Sequence, residues 1–295
     1  MLRFLATAVD WPQFREISVE NEAAGDPYAV RQIALPELLA QRRAYGLAID
    51  RTRKLLYVGA GQDECDVVVC RYEDMPFTVS DARRLPLTER IGTVHQLDIF
   101  RDLLLVPDTS GDRVIVADRF SGATVRILRL PDGHPYYFHG GSYSHYNSVW
   151  VDEATERVYV VAHNQSRRDG RPSFLVIFDL KSGAALEVRE RGQCCHNAFV
   201  WHGQDVWCSS QNGEVRVGDA CYTTSGYPVG LAATDHDIYT IVNEPEPARH
   251  KAWPWVTCYL QALFAGWRIP NLGTMCEVRL LAPGNDRDYA RSDAA

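Results

Sequence analysis

The chain has no excess of positive charge, no CxxC pair, no HExxH run, no EF-hand loop and no long apolar stretch near its N-terminus. Each absence removes a class of function. With 31 Lys and Arg against 38 Asp and Glu, the formal net charge is −7. That balance argues against a nucleic-acid or anionic-membrane partner, because either favours a clustered cationic surface. Arg167-Arg168 and Arg171 form one small basic cluster, read as a solvated loop. The apolar run 4–9 is ended by Asp10, Trp11 and Pro12 before a signal-peptide core could form, so the chain is read as cytoplasmic. Eight cysteines without CxxC spacing give no disulfide framework, and Cys70 and Cys208 fall inside apolar strand patterns. Vicinal Cys194-Cys195 beside His196 reads either as strand packing or as a soft metal ligand or reactive thiol.

What the chain does have is a period. Across 295 residues, 46% of them hydrophobic, a strand-turn-strand block recurs roughly every fifty residues. Its first strands are Tyr45-Gly46-Leu47-Ala48-Ile49-Asp50, His95-Gln96-Leu97-Asp98-Ile99, His145-Tyr146-Asn147-Ser148-Val149, Cys195-His196-Asn197-Ala198-Phe199 and Val229-Gly230-Leu231-Ala232-Ala233. Second strands follow at 55–58, 103–106, 158–161, 206–208 and 238–242, and third strands at 67–70, 113–117, 174–178 and 214–217. All are rich in β-branched or aromatic residues and bounded by turn formers. Asp118-Arg119-Phe120-Ser121-Gly122-Ala123 and Asp179-Leu180-Lys181-Ser182-Gly183-Ala184 are one turn repeated, a marker of the period rather than a site.

This predicts an all-β fold, a β-propeller of five four-stranded blades, with residues 14–19 and 28–35 closing the ring as outer strands of the last blade. Six blades is the alternative, if 276–281 and the N-terminal strands make a blade of their own. On these strand blocks, and on pieces such as Leu105-Val106-Pro107-Asp108-Thr109-Ser110-Gly111-Asp112-Arg113-Val114, the chain resembles the broad group of NHL-like, gluconolactonase-like and YVTN-type β-propellers. The resemblance implies a fold and no particular chemistry, since function on a propeller must be argued from its site. The acidic calcium-ligand constellation expected of gluconolactonases is not apparent.

In a four-stranded meander, the start of the innermost strand and the loop between second and third strands lie on one face. His95, His145 and His196 therefore meet His163 at the mouth of the central channel, with Asn147, Asn164, Asn197 and Asn243 around them as substrate contacts. Three or four imidazoles there form a ligand set for a divalent transition metal, iron, copper or zinc. The competing reading is that they hydrogen-bond blade to blade. Asp108 or Glu244 would orient a ligand or act as acid/base, and Tyr137, Tyr143 and Tyr146, in or beside the aromatic loop 134–147, would contact substrate or move a proton.

Residues 245–275 read as an insertion in the last blade. Val256, Tyr259, Leu260, Leu263, Phe264 and Trp267 follow a helical period, which predicts one amphipathic helix, too short to span a membrane. With Trp255 and Phe264 facing substrate it would form a lid or pocket wall; a homo-oligomer contact is its other role. The chain is thus a single domain over 1–295 with a polar tail at 283–295. The expected function is a metal-dependent enzyme acting on a small, partly apolar molecule, by oxidative chemistry first. The alternatives are a metal-free lyase or isomerase using histidine and tyrosine, or a propeller that binds a ligand or protein without chemistry.

Overall fold

The computed structural model describes residues 1–8, 13–21, 27–61, 64–136, 144–164, 170–245, 255–269, 272 and 275–281. They form six four-stranded antiparallel sheets. Strands β1 (Leu2–Ala8), β2 (Phe14–Val19) and β3 (Tyr28–Ile33) come first, followed by the one-turn helix α1 (Glu37–Ala40). Blade 1 is β4 (Ala44–Asp50), β5 (Leu55–Gly61), β6 (Cys65–Asp74) and β7 (Phe77–Leu85). Blade 2 is β8 (Asp98–Phe100), β9 (Leu103–Asp108), β10 (Arg113–Asp118) and β11 (Thr124–Leu128). Blade 3 is β12 (Tyr146–Asp152), β13 (Arg157–Ala162), β14 (Ser173–Asp179) and β15 (Ala185–Arg191). Blade 4 is β16 (Cys195–Trp201), β17 (Gln204–Ser209), β18 (Glu214–Val217) and β19 (Ala220–Thr223). Blade 5 is β20 (Tyr227–Ala233), β21 (Ile238–Pro245), β22 (Trp255–Ala262) and β23 (Arg268–Ile269). Blade 6 joins the two ends of the chain, β24 (Met275–Leu280) pairing with β1 ahead of β2 and β3.

Six blades, not five, follow from the fate of residues 255–269. The predicted amphipathic helix is instead β22 and β23. Trp255-Val256-Thr257-Cys258-Tyr259-Leu260 is rich in residues that suit a pleated surface, and it pairs with β21 from Tyr239↔Ala262 to Pro245↔Trp255. Without that pairing the edge of β21 would carry unmatched backbone groups. Blade 5 is thereby complete, and the N-terminal strands are left to build blade 6 around β24. The polar tail expected at 283–295 lies outside the described residues. No helix among the described residues is long and apolar enough to cross a membrane.

The middle strands are apolar on both faces because each sheet packs against two neighbours. In β5, Leu56, Val58 and Ala60 join the cluster shared with blade 6, while Tyr57 joins the cluster shared with blade 2. The six seams between blades each hold one such cluster. Burying a Leu or Phe side chain stabilises by about 1.5–3 kcal/mol, so these seams carry most of the fold. Blade 6 is also tied to blade 1 by charge. Buried Glu16 accepts from Arg3 Nε at 2.7 Å and Arg31 Nε at 3.1 Å; Arg3 bonds the Asp74 carbonyl, and Arg31 the Phe77 carbonyl at 2.6 Å.

Five innermost strands carry one extra residue near their starts, where the pairing register shifts: between Ala44 and Leu47, Tyr146 and Ser148, His196 and Ala198, Pro228 and Leu231, and Met275 and Glu277. In β12 and β16 the extra residues are Asn147 and Asn197, and such bulges re-aim side chains where a strand meets a site.

Candidate functional site

The bulged starts and the β13–β14 connection bring the four histidines together. His145 stands immediately before β12 with φ +55°, His196 is the second residue of β16, and His163 follows β13 directly. Their backbones are cross-linked: His163 N–H donates to the His145 carbonyl at 3.2 Å, and Asn164 N–H to the Ser144 carbonyl at 2.9 Å. Beneath this turn the Asp112 carboxylate accepts from Ser144 N–H at 3.1 Å and His145 N–H at 2.7 Å, which holds His145 in its left-handed conformation.

The rings run as one string across the mouth. Ring centroids are 5.6 Å apart from Tyr45 to His95, 5.2 Å from His95 to His145, 4.6 Å from His145 to His163, 4.4 Å from His163 to His196, and 5.4 Å from His196 to Tyr227. His145 and His163 are stacked with planes 2° apart, whereas His196 meets His163 edge-on at 79°. Tyr45 and Tyr227, at the two ends, were not singled out from sequence, although both stand at the start of an innermost strand, as His196 does.

One contact in the string has a fixed polarity. His196 Nδ1 lies 2.9 Å from the Cys194 carbonyl oxygen and 2.7 Å from Ser210 Oγ, while Ser210 Oγ–H donates to the Pro228 carbonyl at 2.5 Å. A carbonyl can only accept, so Nδ1 of His196 carries the proton and, in the neutral ring, Nε2 is the acceptor. His163 Nε2, 3.1 Å away, is then the donor to His196 Nε2, and the basic nitrogen of neutral His163 is Nδ1. Ser210 is the opposite of a nucleophile activated by histidine: it accepts from the ring and gives its own proton to a carbonyl. The Ser209-Ser210 pair after the second strand was its only signal in the sequence.

Charge is disfavoured here. Burial pulls the His95 pKa down to about 4, and holds that of His145 well below the usual histidine value, with the neighbouring His95 and His196 rings adding to it. Of the vicinal cysteines, Cys195 is a thiol, not a thiolate. Burial pushes Cys195 up to about 12, and Cys194 Sγ donates to Gln211 Oε1 at 3.1 Å.

As a metal centre the four histidines fit poorly. Among the described residues no group of three or more His, Cys, Asp and Glu side chains is placed to hold a metal ion. For His145 and His163 the reason lies in the stack. Imidazole lone pairs lie in the ring plane, so two parallel rings 4.6 Å apart aim theirs along separate planes, which do not meet at an ion about 2.0–2.1 Å from each nitrogen.

The other sequence-predicted residues divide into three groups. Asn147, Asn164, Asn197 and Asn243 are buried on the site face at or beside the bulged starts and returning loops. Asp108 is on that face too, but its oxygens accept from Gly92 N–H and Arg113 Nε, both at 3.0 Å, which makes it part of a structural ion pair extended to Glu89. The Tyr146 ring packs into the apolar cluster between blades 2 and 3. Phe264 lies on the opposite face, in the turn after β22, stacked on Trp201 at 5.3 Å with its N–H on Asp237 Oδ1 at 2.9 Å. Residue 264 left the mouth because the expected helix is a strand that runs to the other face. Tyr137 and Tyr143, and the side chains of Glu244 and Trp255, lie outside the described residues.

Fold and ring of strands define the chain as a six-bladed β-propeller of four-stranded antiparallel sheets. No protein-family model matches it, and no curated protein matches it. Among solved structures it is similar to a chain of a nidogen/laminin complex, with TM-score 0.69 and 9% identity over 96% of this chain and 100% of that one. It is also similar to a protein of unknown function from Bacteroides caccae, with TM-score 0.60 and 9% identity over 94% and 97%. A third is the WD40 β-propeller domain of Doa1, with TM-score 0.50 and 12% identity over 81% and 86%. At these identities the likeness is one of fold alone.

Proposed function

We propose that this chain is an enzyme that binds a small molecule at the histidine-lined mouth of its propeller and moves a proton on it without a metal, as a lyase or isomerase does. The observation that supports this most is the 3.1 Å contact between His163 Nε2 and His196 Nε2, with the tautomer of His196 held by the Cys194 carbonyl and Ser210. In that arrangement His163 Nδ1 accepts a proton from a C–H or O–H of the substrate. The cation so formed keeps its Nε2–H on His196, which steadies the charge while the substrate rearranges or loses its leaving group, and Nδ1 then returns the proton. His95 and His145 stay neutral and add no repulsion to that transient charge.

The test starts from protein purified without a histidine tag. Compounds that raise its melting temperature are incubated with it in heavy water, and deuterium entering the compound is read by mass spectrometry. The expected result is exchange or turnover that is lost in His163→Gln while binding is kept. Binding with no exchange in the wild type would make the chain a binding propeller. Near-stoichiometric iron, copper or zinc by elemental analysis, lost on His163→Gln with His196→Gln, would replace the acid–base reading with a metal centre.

A further inference from the structure

The asparagines beside the histidines carry an unmatched hydrogen-bonding capacity. Asn147 Nδ2 donates to the Cys195 carbonyl at 3.0 Å and Asn164 Nδ2 to the Pro172 carbonyl at 2.8 Å. Because a carbonyl accepts only, these bonds fix which end of each amide is nitrogen. The oxygens that remain, Asn147 Oδ1 and Asn164 Oδ1, have no hydrogen-bond partner among the described residues, and the two side chains belong to residues only 2% and 3% exposed. A buried carbonyl left without a donor costs about 1–3 kcal/mol. Two of them on one blade are acceptor positions that no described residue fills.

Their place is the mouth itself. Asn147 is the bulge residue two positions after His145, and its amide reaches the residue next to His196. Asn164 adjoins His163, and its backbone is bonded to Ser144. Both oxygens thus belong to the part of the rim that holds the His163–His196 contact. Neutral imidazoles beside them add further acceptors rather than donors of charge. Across the string, Arg43 lies on blade 1, its Nη1 3.5 Å from Tyr45 Oη. The rim is therefore polarised: acceptors on blade 3, a cation beside blade 1.

We infer that the mouth takes a small ligand that presents nitrogen-bound hydrogens, as an amide or amidine group does, to Asn147 Oδ1 and Asn164 Oδ1. This rests on the reading of the mouth as a small-molecule site, and adds the class of group that it holds. The N–H groups would dock on blade 3, next to the base His163, so the proton that moves would be on an atom close to that nitrogen.

The experiment follows the side-chain amide signals of Asn147 and Asn164 and the imidazole signals of His163 and His196 by NMR, with acetamidine, acetamide and acetate as probes. Acetamidine and acetamide are expected to shift all four, acetate to bind at least tenfold more weakly, and Asn147→Leu or Asn164→Leu to weaken acetamidine binding roughly tenfold. Acetate shifting the imidazoles while the N–H probes do not would overturn the inference and leave the mouth as a binding site. No probe moving either set would sink both. Ordered waters on both oxygens that persist in a crystal saturated with acetamidine would also overturn it, as would Leu variants that lose stability but not acetamidine affinity.

Discussion

The seam between blades 2 and 3 and the seam between blades 3 and 4 share one sheet yet are built differently. The first holds sixteen buried apolar residues, among them Phe174, Val176 and Phe178. The second holds five, Val161, Leu175, Ile177, Cys195 and Ala198, around a small crevice. Polar groups make up the difference. Asp205 of blade 4 accepts from Arg189 at 2.9 Å and Arg191 at 3.1 Å, the Arg191 guanidinium lies 4.9 Å over the Trp207 ring, and Ser173 Oγ links the Cys195 N–H at 3.0 Å to the His163 carbonyl at 3.1 Å. The His163–His196 contact stands at the mouth of this second seam. A densely apolar seam fixes the ring; a thin one leaves room for directional groups that a ligand can use.

The largest effect expected from this contrast comes from neighbouring residues of β14 that face opposite seams. Phe178→Ala should lower stability in urea by about 3–5 kcal/mol, and Ile177→Ala by about 2 kcal/mol, the low end for such a truncation. Equal losses would break the comparison. Next in size is the pH dependence at the mouth. His95 has a folded pKa of about 4 against an unfolded value near 6.5, so the native state keeps the neutral ring while the unfolded chain takes up protons. Stability is then whole above pH 6.5, falls as pH drops toward 4 by roughly 3 kcal/mol, and levels off below. Urea titrations across that range should show the loss, and His95→Gln should reduce it, leaving the part that comes from buried His145. Asp205→Asn, which removes both arginine pairs of the thin seam, should cost about 1 kcal/mol and reduce the salt sensitivity of unfolding. An unchanged salt response would remove the polar account of that seam. Smallest is Ser210→Ala, about 1 kcal/mol or less, seen chiefly as a change in the His196 nitrogen signals, since the Cys194 carbonyl still holds Nδ1–H.

The blades were legible where strands are buried on both faces. Runs such as Leu104-Leu105-Val106 and Val158-Tyr159-Val160-Val161 can be continuous only when a sheet is covered on two sides, and their spacing fixed the period. The sixth blade was legible only as the alternative, residues 276–281 with the N-terminal strands, because its innermost strand is the last described segment and its partners are the first, with no local pattern to join them. The stretch 255–269 misled for a different reason. Val256, Tyr259, Leu260 and Leu263 satisfy a helical period, and short apolar runs do not settle the choice; pairing with β21 did. At the site, the repeat placed His95, His145, His163 and His196 on one face. What sequence spacing does not carry is ring orientation. Convergence was read as a metal shell, whereas a 2° stack and a nitrogen-to-nitrogen contact set the geometry.

The single extra residue near the start of β12 and of β16 has a longer reach than its hydrogen bonds. Beyond it, strand pairing proceeds in the register that the blade core requires; before it, the chain is out of phase with that core. Rim and scaffold are thereby uncoupled, as a keyboard is from the frame beneath it. Residues at these starts are open to exchange without a shift in the strand register of the blade core, so one ring of six sheets can serve many different mouths.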